Sequence, residues 1–189
     1  MPASEPIRDK KQLRKMADYW LKRGSARNYA MIVLGACTAL RIADLLRLKW
    51  VDVYDTERGR FCSHISLIEK KTGKQKTIAL NRQAIAALKM CLPERQGKFV
   101  FDNNRGSERA ISRVQAWRII KAAAMANRAV GRISCHSLRK TFGYLAWKAG
   151  VLPVMLMDIF NHSSFEITKR YLGITQDDRD SVYLGLALW

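Results

Sequence analysis

Residues 136–172, HSLRKTFGYLAWKAGVLPVMLMDIFNHSSFEITKRYL, divide into three apolar-periodic blocks. Gly150 and Pro153 part the first block from the second, and residues 161–164 part the second from the third, so the spacing predicts helices over 136–149, 154–160 and 165–172. The first opens on His136-Ser137-Leu138-Arg139. Residues three apart share a helix face, which places an imidazole beside a guanidinium. At a helix start the free N–H groups and the dipole also favour an anion there. The third block ends in Lys169-Arg170-Tyr171-Leu172, and nine residues separate His162 from Tyr171, room for a turn and most of a short helix. Singly, each feature has an ordinary explanation. HxxR is a common polar turn, a histidine at a helix junction is usually a hydrogen-bonding group, and a late-helix tyrosine is usually core.

Upstream, Leu13, Met16, Ala17, Trp20 and Leu21 recur at three and four, predicting an amphipathic helix over 8–22. Gly24 and Ser25 punctuate the chain, with Ser25 as an N-cap, and 26–38 (ARNYAMIVLGACT) is apolar almost all round, a core helix. A short helix over 42–48 follows. Two β-prone runs, 61–68 and 76–80, flank KKTGKQ, where Gly73 supplies the positive φ of a tight connection, so a β-hairpin is expected. Helical periodicity resumes at 82–91, 111–127 and, after Thr175, at 176–186. The fold class read from this pattern is mainly α with a small antiparallel β-sheet (α+β). The 189 residues read as a single domain with a loose lead-in over 1–7.

The charge narrows the partner. Thirty-four Lys and Arg against 16 Asp and Glu give a net charge of +18. That imbalance costs self-repulsion on compaction and marks a polyanion partner such as DNA or RNA. A basic membrane-surface protein would want an amphipathic basic helix or a lipidation signal, and neither stands out. Cys37, Cys62, Cys91 and Cys135 form no CxxC or CxxH pair and read as small hydrophobes in a reducing compartment. No signal-peptide core opens the chain and no apolar run reaches the ~18 residues of a membrane span, so a cytoplasmic location is expected.

Two further segments carry chemistry. Arg41 interrupts an apolar run, Ala39-Leu40-Arg41-Ile42-Ala43, at a helix start. Its planar fork suits two phosphate oxygens; the plain alternative is an arginine that snorkels outward or pairs with a core carboxylate. The hairpin turn carries Lys70, Lys71, Lys74 and Lys76. A lysine there can be a solvated charge or can protonate a leaving oxygen, and chemistry alone does not choose among the four. A tyrosine phenol, with an ordinary pKa near 10, becomes a nucleophile when cations lower that value or a base accepts its proton.

In this order the elements resemble the tyrosine recombinase or phage integrase family. Members carry an arginine in a TGLR-like segment, a hairpin lysine, an HxxR box, a His or Trp in an LGH-like segment and a nucleophilic tyrosine. The matching positions are Thr38-Ala39-Leu40-Arg41, Lys71, His136 to Arg139, Phe160-Asn161-His162-Ser163, and Tyr171. The resemblance implies that Arg41 and Arg139 clamp a scissile DNA phosphate and that His136 relays the tyrosine proton. It further implies that His162 donates to a phosphate oxygen, Lys71 protonates the 5′-oxygen, and Tyr171 forms a 3′-phosphotyrosyl link. It implies no metal and no cofactor, the arginines standing where a divalent cation acts in many phosphoryl-transfer enzymes. Lys70, Lys74 and Lys140 are added as DNA contacts.

Phe160-Asn161 stands where Leu-Gly is usual, and Asn tolerates left-handed φ nearly as Gly does. Many members place a core-binding domain before the catalytic one. Here the motifs begin at Arg41, so the expectation is a catalytic domain alone. The resemblance further implies self-association on DNA as a dimer or tetramer, with the helical segment 173–189 exchanged between protomers, and possible accessory DNA-binding proteins. Two other activities fit parts of the pattern: a type IB topoisomerase-like nicking and closing enzyme, and a DNA-binding accessory factor that keeps the fold without the reaction.

Overall fold

A computed structural model of the chain describes residues 4–103 and 109–187. Helix α1 (Lys10–Leu21) is capped by the Asp9 carboxylate, which accepts from the N–H groups of Lys11 and Gln12. Ser25 caps α2 (Ala26–Thr38) as expected, accepting from Asn28 N–H. α2 is the central post, packed on α1, on α5 (Arg82–Cys91) and on α7 (Cys135–Lys148). Its apolar circumference is thereby used: Met31, Ile32 and Leu34 are fully shut from water. Contact with α7 is close because Gly35 has no side chain; a Cβ there would lie 2.7 Å from Leu138 Cδ1.

The middle of the chain departs from expectation. The helix predicted over 42–48 stops early as α3 (Ile42–Leu45), and a second short helix, α4 (Trp50–Val53), follows because Asp52 accepts from the Lys49 N–H and opens a new turn. The single strand predicted over 61–68 is broken at residues 62–63. Its head, β2 (Arg60–Phe61), pairs with β1 (Tyr54–Asp55), while β3 (His64–Ile68) pairs antiparallel with β4 (Gln75–Ala79), Ile65 opposite Ile78. The described chain thus has two small antiparallel sheets where one was expected.

The remaining helices are α6 (Arg113–Ala126), α8 (Pro153–Phe160), α9 (Phe165–Leu172) and α10 (Gln176–Gly185). Pro153 opens α8 where a missing N–H costs nothing. Asn161 ends it in the left-handed region at φ 51°, the role foreseen for this asparagine. Apolar side chains gather in two clusters. The larger joins α1, α2, α5, α6 and the β3 face around Trp50, Ile65 and Phe101. The smaller, Ala39, Leu156, Phe160 and Leu172, lies under α7, α8 and α9, and Tyr171 packs on it.

Residue 4 onward is docked rather than loose. Ile7 is buried and its N–H donates to Thr141 Oγ1 at 2.8 Å, while Glu5 N–H donates to the Arg132 carbonyl. Residues 1–3 of the expected loose lead-in lie outside the described residues. Among the described residues no helix is long and apolar enough to cross a membrane. The four cysteines are free, with Cys91 buried and the others half-buried.

Candidate active site

One guanidinium joins the segments that the sequence separates. Ser134 caps α7, and one turn later Arg139 is 2% exposed. Its NH1 donates to the Ala39 carbonyl, its NH2 to the Phe160 carbonyl at 2.9 Å, and its Nε to the Tyr171 hydroxyl at 3.1 Å. Ala39 is the left-handed C-cap of α2 at φ 55°, and Phe160 is the last residue of α8. Two helix C-termini, negative by their unpaired carbonyls, therefore converge on the cation. A fourth contact is the Phe160 ring, 4.8 Å from the guanidinium carbon.

Arg41 stands two residues beyond Ala39, half-buried, with NH1 2.7 Å from Glu69 Oε1. That distance is an ion pair, and NH1 is itself shut from water. Glu69 is fully buried and accepts from Thr72 Oγ1 at 2.8 Å and Asn161 Nδ2 at 2.9 Å. Burial alone would raise its pKa; the hydrogen bonds from Thr72, Asn161 and Arg41 overcome that and bring it to about 2. The core-carboxylate alternative for Arg41 is thus realised through NH1, and Nε and NH2 have no partner among the described residues. Lys76 joins the same group, its Nζ 3.8 Å from Glu69 Oε1 and donating to the Ile159 carbonyl. Burial, aided by the charge of Arg139, lowers its pKa.

Tyr171 is set in a ring of aromatics: Phe160 and His162 at 4.9 Å and His136, edge-on, at 5.0 Å. Of the two routes open from sequence, cations that lower its pKa or a base that accepts its proton, the first is not what the fold provides. Burial wins instead and raises that pKa, against the opposing pull of Arg139 and Arg41. The phenol therefore keeps its proton unless a base accepts it. His136, at the exposed rim, and His162, half-buried, are both pulled down to about 4, by desolvation first and then by Arg139 and its neighbouring cations. Each is neutral at pH 7 and able to accept a proton. His162 Nδ1 meets Thr168 Oγ1 at 3.0 Å, which leaves Nε2 for other partners.

Arg41, His136, Arg139, His162 and Tyr171 are thus brought together. Lys71 lies on the exposed turn between β3 and β4 with Lys70 and Lys74, and its charge is felt at His162. The turn is closed by Gly73 N–H on the Glu69 carbonyl and tethered by Lys70 N–H on Asp44 Oδ1, at 2.9 Å each. Lys140 differs from the hairpin lysines. It is buried, its Nζ donates to the Ser4 carbonyl at 2.7 Å and lies 5.4 Å from the Tyr171 ring centre, because its place in α7 turns it inward.

Glu69 and Asp44 were missed from sequence, and Lys76 was one of the four hairpin lysines that chemistry alone left unranked. A signal for two of these three existed: Glu69 continues the buried alternation of Ile65 and Leu67, and Lys76 shares the inward face of β4 with Ile78.

Three comparisons bear on this geometry. The family model described as "Phage integrase family" matches residues 8–177. The chain is 33% identical over 184 residues to the probable integrase/recombinase YoeC of Bacillus subtilis, covering 95% of this chain and 94% of that one. It superposes on XerA recombinase with a TM-score of 0.76 at 20% identity, covering 97% of this chain and 66% of that chain. On the XerH site-specific recombinase bound to palindromic difH substrate, a post-cleavage complex, the TM-score is 0.73 at 19% identity, covering 97% of this chain and 55% of that chain. Matched along nearly its whole length, with an arginine-bolted tyrosine among neutral histidines, this chain belongs to the phage integrase family of tyrosine recombinases, enzymes that cleave and rejoin DNA by transesterification.

Proposed function

We propose that the chain exchanges DNA strands at specific sites through a 3′-phosphotyrosyl intermediate at Tyr171. The observation that carries this reading is the Arg139 Nε to Tyr171 hydroxyl contact at 3.1 Å with Arg41, His136 and His162 around it. Double-stranded DNA is the substrate, drawn in by the net charge of +18.

The steps follow from the pKa directions. Tyr171 holds its proton at neutral pH, so neutral His136 takes it as the phenolic oxygen attacks phosphorus. Arg41 and Arg139 gather the charge that builds on the non-bridging oxygens, where fixed donors act most strongly. His162, with Nδ1 engaged by Thr168, donates from Nε2 to one of those oxygens. The 5′-oxygen leaves and takes a proton from Lys71. The tyrosyl ester keeps the bond energy, and a second strand's 5′-hydroxyl reverses the sequence to reseal the backbone.

The exposed Val182, Tyr183, Leu184 and Leu186 of the C-terminal segment favour self-association on DNA, with α10 lent to a neighbouring protomer; residues 188–189 lie outside the described residues. Lys70 and Lys74, exposed on the hairpin turn, contact the DNA backbone in this reading. Lys140 acts from inside, on the charge around Tyr171.

Nicked duplexes tiled across the DNA flanking the chain's own coding sequence test the reading. The expected result is a protein–DNA adduct that survives detergent, lost in Tyr171→Phe while DNA affinity holds. An adduct persisting in Tyr171→Phe overturns it. A 5′-bridging phosphorothiolate, whose leaving group needs no proton, should rescue Lys71→Ala; rescue of Lys74→Ala or Lys76→Ala instead moves the acid there.

A further inference from the structure

A catalytic arginine needs its own anchor, because a guanidinium on four rotatable bonds loses much of its value as a transition-state clamp if it must be ordered during the reaction. Arg139 has such an anchor in the carbonyls of Ala39 and Phe160. For Arg41 the structure offers one candidate of comparable quality. Glu69, 0% exposed, lies 2.7 Å from Arg41 NH1 and is itself fixed by Thr72 Oγ1 at 2.8 Å and Asn161 Nδ2 at 2.9 Å. Thr72 belongs to the turn that carries Lys71, and Asn161 immediately precedes His162. One carboxylate is thus wired to three of the segments that supply reactive groups.

We propose that Glu69 is a positioning residue that fixes Arg41 for the scissile phosphate. The proposal rests on the phosphoryl-transfer reading of this site. Two features separate this role from that of an incidental buried pair. The 2.7 Å contact is to NH1, which is shut from water, so the carboxylate holds the cation by one edge and leaves Nε and NH2 without a partner among the described residues. The carboxylate stays ionised down to about pH 2, so its charge is constant wherever the protein is folded and functional. An electrically neutral residue at 69 would leave Arg41 free to swing and would leave Lys76, 3.8 Å away, as an uncompensated cation beside it.

The test is a double-mutant cycle on a nicked duplex that gives the wild-type adduct, built with a 5′-bridging phosphorothiolate so that the hairpin lysine drops out of the rate. Single-turnover adduct formation at saturating DNA is measured for wild type, Glu69→Gln, Arg41→Ala and the double variant. Glu69→Gln keeps the size of the side chain and an acceptor for Thr72, and thermal melting checks that it folds. The expected result is a rate lower by about 10–100-fold in Glu69→Gln, the scale seen when the partner that orients a catalytic group is lost. DNA affinity should stay within about threefold, since the loss belongs to the transition state. In the Arg41→Ala background the same substitution should cost less than about twofold. Wild-type rates in Glu69→Gln overturn the proposal. So do losses that multiply in the double variant, which mark a scaffold effect independent of Arg41. Absence of any Tyr171-dependent adduct in wild type refutes the transfer reading itself and is seen before Glu69 is touched.

Discussion

Arg139→Lys is the substitution in which structure and chemistry are most tightly joined. The guanidinium serves three acceptors in one plane: the carbonyls of Ala39 and Phe160 and the Tyr171 hydroxyl. A lysine ammonium is a point donor on a flexible stem and can reach one of them at a time. Two buried acceptors are then left without a donor, at about 1–3 kcal/mol each. Relaxation and water entering from the open side of the site trim the sum to roughly 2–4 kcal/mol. In a domain of this size 1 kcal/mol moves the melting temperature by about 2–4 °C, so Arg139→Lys should melt about 5–15 °C lower and yet remain folded at 25 °C. Tyr171→Phe is the control. It removes one hydroxyl and leaves both carbonyls paired, about 1 kcal/mol and roughly 3 °C. Thermal unfolding by circular dichroism reads both variants at once. Arg139→Lys melting within 2 °C of wild type, or Tyr171→Phe costing as much as the lysine, refutes the reading of Arg139 as the bolt between α2, α7 and α8.

A Cβ at Gly143 would lie 2.7 Å from Phe160 Cζ and 3.0 Å from Leu172 Cδ2. Gly143→Ala should therefore destabilise by about 1–3 kcal/mol and slow adduct formation by shifting the helix that bears Tyr171, and an unchanged urea midpoint with full activity would contradict this. His136 and His162 have pKa values near 4 in the fold against 6.5 unfolded. The unfolded chain binds more protons between those values, so stability is complete above pH 6.5 and falls as pH drops toward 4, with Glu69 extending the loss from 4.5 toward 2. Urea midpoints that stay level from pH 7 to 4.5 would count against the lowered histidine pKa values. The logarithm of DNA affinity should fall linearly with the logarithm of salt, with a slope near 0.9 per phosphate neutralised, and a flat dependence would remove the basic surface as a DNA footprint.

Much of the site was legible because its parts are local. HxxR at a helix start, Gly150 and Pro153 as breaks, Asn161 as a left-handed cap and Ser25 as an N-cap are each set by a few neighbouring residues, and the structure has all of them. The sequence errs where two local tendencies compete within a short span. Residues 42–53 form two short helices because Asp52 captures the Lys49 N–H, and 60–68 splits because its head finds a partner in β1.

The sequence by itself determined which residues are chemically able to act and the order in which the chain presents them: Arg41, Lys71, His136, Arg139, His162 and Tyr171 lie in recognisable segments whose helix and hairpin settings follow from spacing, caps and breakers. Only the tertiary structure decided their state. Tyr171 keeps its proton because burial outweighs Arg139, and Lys140 turns away from solvent toward the Ser4 carbonyl. Glu69, separated by 28 residues from Arg41 and 92 from Asn161, becomes the carboxylate that ties them. Desolvation and ion pairing depend on what surrounds a group in three dimensions, and those surroundings come from parts of the chain that no local pattern connects.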